Sequence, residues 1–260
     1  MRRDGDLALY WPRTELPYGL EADFWSVRLH GYTHWSKMFN ARQLLVLSNL
    51  LRAICTIGIE TYTWETREQV LCAFQQYLRN QCMFTLWDME YDKLAPFLSK
   101  NNFRPKNLPV ENSVFSTLGR GNWMSCTESL IEQANWQDNP WEVLSASRYN
   151  VDPEVGKSLR IPCGDPPTDP ASLECHSATD LSARPDRSLD LIITDPPFGD
   201  LLQYAELGDF FYVWIRLALR ERYPSLFGPD ESPKKLEAVT NKARQPEDPE
   251  GFYRQVLTAC

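Results

Sequence analysis

The sequence predicts an α/β protein in which a mainly helical N-terminal region precedes part of a parallel sheet. Three observations carry this reading. Two segments before residue 80 have capped, amphipathic helical spacing. Residues 150–174 are crowded with prolines and contain glycines. A short aliphatic run, Leu189-Asp190-Leu191-Ile192-Ile193-Thr194, stops at Asp195-Pro196-Pro197-Phe198. The chain therefore divides into an N-terminal segment (1–30), a mainly helical region (31–149), a connector (150–174) and a C-terminal part (175–260) that holds the proline-terminated run.

The first helix starts after Phe39. Asn40 is placed to cap its first turn, and Gln43, three residues on, to reach back in a capping box. Leu44, Leu47, Leu51 and Ile54 then share one face. A second capped helix covers Thr66 to Leu78, with Val70, Leu71, Phe74, Tyr77 and Leu78 along one side. The connector contains Pro162, Pro166, Pro167 and Pro170, which break any regular element. The run at 189–194 reads as a buried parallel strand, because aliphatic residues follow one another with little polar alternation. Pro196 and Pro197 end it, since neither can donate to a sheet ladder. Asp195 and Phe198 are thereby expected on a stiff loop at the carboxyl end of a strand, where open α/β sheets bind ligands. Beyond it, Leu207, Phe210, Phe211, Trp214, Leu217 and Ala218 fall at helical spacing and form a broad apolar stripe.

An acid beside an aromatic ring on such a loop suits chemistry at the exocyclic amine of a planar base. The carboxylate and nearby carbonyls accept hydrogen bonds from the amine. The ring stacks on the base after it leaves its helix, which offsets the few kcal/mol that extrusion costs. Asp195-Pro196-Pro197-Phe198 resembles the D-P-P-Y/F motif of the amino-methylating, S-adenosylmethionine-dependent DNA methyltransferases. The second D-P-P, at Asp165-Pro166-Pro167-Thr168, lacks both the aromatic and the preceding strand and reads as linker. Tyr204-Ala205-Glu206-Leu207, the aromatic helix through Trp214, and Pro233-Lys234-Lys235-Leu236-Glu237-Ala238-Val239-Thr240-Asn241 are similar to segments of a narrower group. These are the large adenine-specific DNA methylases that often carry a zinc ribbon. Upstream, Phe39-Asn40-Ala41-Arg42-Gln43-Leu44-Leu45 resembles that group's R-Q-L-L helix start. The likeness touches the chain from about Gly31 to Tyr253, and its specific motifs lie in the last third.

The resemblance implies a partial Rossmann-like methyltransferase sheet, S-adenosyl-L-methionine as cofactor and DNA as partner. It assigns catalysis to Asp195, Pro196, Pro197 and Phe198: the acid and the Pro196 carbonyl hold the amine, and the ring stacks on the base. Ala178 and Asp180 match the segment that approaches the cofactor's adenine, and Tyr204 and Glu206 are the expected substrate contacts. Adenine is the leading target, while the cytosine amine, RNA and a protein amide suit the same chemistry. The rival reading is a non-catalytic fragment or subunit that binds DNA or a partner chain. What favours the rival is a missing element. The family places a glycine-rich turn after its first strand, and Gly119-Arg120-Gly121, the sole G-x-G, follows Ser116-Thr117-Leu118 rather than a β-branched run. The expectation is therefore the rear part of a longer or split enzyme, with an upstream segment or subunit supplying that turn.

Composition limits the remaining classes. No apolar run approaches the roughly 20 residues that span a bilayer, so a cytoplasmic location is expected. Seven cysteines without a C-x-x-C pair fit reduced thiols and exclude a self-contained zinc ribbon in this sequence. His30, His34 and His176 have no metal-ligand spacing. The net charge of −8 opposes DNA binding by the whole surface. Local basic groups at Arg216, Arg220, Arg222, Lys234, Lys235, Lys242 and Arg244 leave contact with a nucleic-acid backbone open.

Overall fold

The computed structural model describes residues 7–17, 27–99, 103, 108–116, 119–143, 160–164, 174 and 176–260. Helix α1 spans Ala41–Thr56 and begins at the expected capping box. The Asn40 side chain accepts from the Gln43 amide, and the Gln43 side chain accepts from the Asn40 amide, both at 2.9 Å. Such a cap contributes about 1 kcal/mol. Leu47, Leu51 and Ile54 are buried and Leu44 packs against them. Helix α2, Trp64–Leu78, starts earlier than the spacing suggests because Thr63 rather than Thr66 is its cap. Its buried Arg67 reaches back and donates to the carbonyls of Ile54 and Ile57 at 2.5 and 2.9 Å. One guanidinium thus satisfies carbonyls that the end of α1 leaves unpaired.

A hairpin of β1 (Leu86–Asp88) and β2 (Lys93–Ala95) follows, and then α3 (Trp123–Asp138), capped by Asn122. The Gly119-Arg120-Gly121 turn leads into α3. Gly121 has φ +72, and a Cβ there would collide with the Asn80 amide, so packing rather than cofactor approach explains this glycine. Strands β3 (Trp141–Val143) and β4 (Arg160–Pro162) pair antiparallel. Pro162, placed by sequence in an irregular connector, therefore lies in a strand. Asp165 to Thr168, the second D-P-P, falls outside the described residues. Helices α4 (Tyr204–Leu219), α5 (Pro224–Phe227) and α6 (Pro249–Ala259) complete the chain.

One aromatic core ties the N-terminal helices to α4. The Phe39 ring stacks on Phe210 at 5.6 Å and meets the edge of Trp214 at 5.2 Å. Phe97 approaches Phe210 at 4.2 Å, and Phe74 meets Trp214 at 6.0 Å. Each such pair adds about 0.5–1.5 kcal/mol beyond burial. The apolar stripe on α4 is thus core, with Phe210 and Trp214 fully buried.

The expected parallel sheet is not formed among the described residues, whose strands make two separate antiparallel pairs. Leu189 to Thr194 form no strand, and Leu189, Leu191, Ile192 and Ile193 are exposed. The physical reason is the lack of neighbours. A parallel strand is stable only between other strands with both faces covered, and among the described residues no strand flanks this run.

Candidate catalytic loop

The Asp195-Pro196-Pro197-Phe198 loop is held on one side only. Asp195 and Pro196 are exposed, Pro197 is half-buried, and the Phe198 ring is 59% exposed. On the C-terminal side, the Tyr253 hydroxyl of α6 donates to the Pro197 carbonyl at 2.9 Å. The Thr240 amide donates to the Gly199 carbonyl at 3.0 Å, and the Leu201 amide donates to the Phe198 carbonyl at 3.0 Å. Gly199 has φ +56, which lets the chain turn sharply between Phe198 and α4. The carbonyls of Pro197, Phe198 and Gly199 are therefore all engaged, whereas no hydrogen bond from the described residues occupies that of Pro196.

Behind these anchors lies a buried polar network that joins the start of α4 to residues 232–244. Gln203 donates to the Thr240 carbonyl at 3.0 Å and accepts from Asn241 at 2.8 Å and Arg244 at 3.1 Å. The fully buried Asn241 also donates to Glu206 at 2.7 Å, and its side-chain oxygen accepts from the Arg244 amide at 3.0 Å. Arg244 pairs with Glu237 at 2.7 Å, and the other Glu237 oxygen accepts from the Ala205 amide at 2.7 Å in the first turn of α4. That carboxylate satisfies an orphan donor and complements the positive end of the helix dipole. One turn further, buried Asp209 accepts from the amide and hydroxyl of Ser232, at 2.9 and 2.5 Å, and pairs with Lys234 at 2.5 Å. Burial pushes the Asp209 carboxyl above the usual range, against the opposing pull of Lys234 and Ser232.

The expected site residues separate in space and environment. Tyr204 is exposed at the first turn of α4, beside the loop's exit. Glu206, expected as a substrate contact, is turned inward and engaged by Asn241, with Arg244 at 3.6 Å. Ala178 and Asp180 lie on an exposed turn. There the Asp180 carboxylate accepts from the Ser182 amide at 3.0 Å, and hydrogen bonds from Ser182 lower its pKa. No hydrogen bond or ion pair joins this turn to the loop among the described residues.

Several basic groups that the sequence leaves open to nucleic acid are internal partners instead: Lys234 of Asp209, Arg244 of Glu237, and Arg216 of Asp230 at 2.8 Å. Arg222 pairs with Glu65 and Glu68. Tyr253 carries no sequence signal that singles it out, and Thr240 and Asn241 stand out only as the end of the segment Pro233 to Asn241, which gives them no role of their own. A signal exists for the network itself: Gln203, Glu206 and Asp209 recur every third residue beside an apolar stripe, a polar row that must find partners if it is buried.

No helix among the described residues is long and apolar enough to cross a membrane, and no cluster of metal-ligating side chains occurs among them. No family model, curated protein or solved structure matches the chain.

Proposed function

We propose that this chain carries the base-handling part of an S-adenosylmethionine-dependent DNA methyltransferase acting on an exocyclic amine, with adenine as the leading target. The observation that carries the reading is the division of labour in the D-P-P-F loop. The Pro197, Phe198 and Gly199 carbonyls are tied down, while Asp195, Pro196 and the Phe198 ring are exposed together. In this reading an extruded base stacks on Phe198, and its amine donates to Asp195 and to the Pro196 carbonyl. Two acceptors on one side of the amine direct its lone pair away from the loop, toward the electrophile. Tyr204, exposed at the start of α4, remains the expected substrate contact, and Glu206 acts by tying the first turn of α4 to Asn241 rather than by touching substrate.

The described residues do not fit the cofactor's own cradle. Ala178 and Asp180 occupy an open turn, and Gly164 (φ +87), the positive-φ glycine just beyond β4, follows a strand of an antiparallel pair rather than of a parallel sheet. The reading therefore includes an upstream segment or separate subunit that supplies the glycine turn and its strands. The exposed aliphatic run at 189–193 supports this, because contiguous apolar surface marks interaction sites.

Transfer of labelled methyl groups from S-adenosylmethionine to DNA, by the chain combined with that subunit, tests the proposal. Asp195→Ala is expected to abolish incorporation while Asp165→Ala leaves it intact. Equal effects of the two substitutions would overturn it.

A further inference from the structure

A second concave site lies at the other end of α4. The segment from Ala8 to Thr14 and the last turn of α4 line an open cleft of about 410 Å³, within the ~300–1,000 Å³ range of small-molecule sites. Arg13, Arg216 and Arg220 all line it, and among the described residues Asp230 is the one acidic residue that does. Buried Arg216 is committed: it donates to the Phe227 and Gly228 carbonyls at 3.3 and 2.7 Å and pairs with Asp230. Exposed Arg13 and Arg220 have no carboxylate partner among the described residues. Arg216 lies in the last turn of α4 and Arg220 is its C-cap, so both guanidinium groups stand at the same end of the helix. This excess of positive charge sits in a chain of net charge −8. Trp11 and Leu217 supply an apolar wall beside the guanidinium groups.

We infer that this cleft binds a nucleotide unit, its phosphate between Arg13 and Arg220 and its sugar and base against Trp11 and Leu217. Guanidinium forks match phosphate oxygens in bidentate geometry, and an aromatic wall takes a base by stacking, whichever base it is. The nucleotide comes either from a nucleic-acid strand or from a free nucleoside phosphate. At 1.5 Å per residue, the cleft is roughly 20 Å along α4 from Tyr204, so this site stands or falls separately from methyl transfer.

The test is titration of the full chain at low salt with a fluorescein-labelled single-stranded oligonucleotide and, separately, with adenosine diphosphate. The Arg13→Ala/Arg220→Ala variant is compared with Lys37→Ala/Lys93→Ala, which changes the charge equally at exposed positions elsewhere. The arginine variant is expected to lose at least tenfold in affinity, on the order of 1.4 kcal/mol, and the lysine variant little. If the strand is the source, the slope of log affinity against log salt also falls by about 0.7 for each phosphate that the variant no longer neutralises. If a free nucleotide is the source, the loss is confined to the diphosphate. Equal losses in both variants, no loss in either, or no binding of either probe by the unmodified chain would overturn the assignment.

Discussion

Tyr253 and Pro197 are joined by a 2.9 Å hydrogen bond from the tyrosine hydroxyl to the proline carbonyl, across 56 residues of sequence. The bond fixes the middle of the D-P-P-F loop to helix α6. It also engages the Pro197 carbonyl, whereas no hydrogen bond from the described residues occupies the Asp195 carboxylate or the Pro196 carbonyl.

Tyr253→Phe removes only that bond and keeps the ring. The expected cost in stability is about 0.5–1.5 kcal/mol, with faster amide hydrogen exchange at Phe198 to Leu201 than elsewhere in the chain. Unchanged protection of those amides would show that Thr240 and Gly199 hold the loop unaided.

Asn241 is the hub behind the loop, donating to Gln203 and Glu206 from one amide group. Asn241→Ala removes both of these buried bonds and leaves the Gln203 oxygen to Arg244, at about 0.5–1.5 kcal/mol for each bond lost. Asn241→Asp should be worse near neutral pH, because it sets a second carboxylate against Glu206 where an amide donated. Urea denaturation of both variants checks the order, and a more stable Asp variant would contradict the network as described.

Asp209 gives a pH signature of opposite sign to an ordinary ion-paired carboxylate. Its pKa is raised by burial, so the folded chain holds the proton more tightly than the unfolded one. Its contribution to stability is fully present below the ordinary carboxylate value. It is lost as pH rises from there through the raised value. The stability difference between the unmodified chain and Asp209→Asn should therefore fall with rising pH across that window and then level off. A difference that grows with pH would mean that Lys234 outweighs desolvation.

The helices are legible in the sequence because their signals are local. The capping box at Asn40 and Gln43 and the stripes on α1, α2 and α4 depend on residues a turn apart. The strand expected at 189–194 does not form because its aliphatic composition reports only what the run would bury. Strand formation requires neighbouring strands, and none among the described residues flanks Leu191 to Ile193. The acid and ring of the loop are legible as a motif, but the support behind them is not. Tyr253 and Asn241 act from 56 and 35 residues away from their partners Pro197 and Glu206, a distance at which one sequence carries no pattern. Lys234 and Arg244 read as groups open to a nucleic-acid backbone for the same reason, since their buried partners Asp209 and Glu206 sit on another element.

The claim that this loop receives an extruded base rests most directly on the Phe198 ring. The measurement is the fluorescence response of an oligonucleotide carrying 2-aminopurine, titrated with the unmodified chain, Phe198→Tyr and Phe198→Ala, alongside the melting temperature of each. Phe198→Tyr should retain the response because the π face survives. Phe198→Ala should weaken base engagement by roughly 1–3 kcal/mol with little change in melting temperature, as expected of a ring that is 59% exposed. A large fall in melting temperature with an unchanged base-analogue response would contradict the account and assign Phe198 to packing.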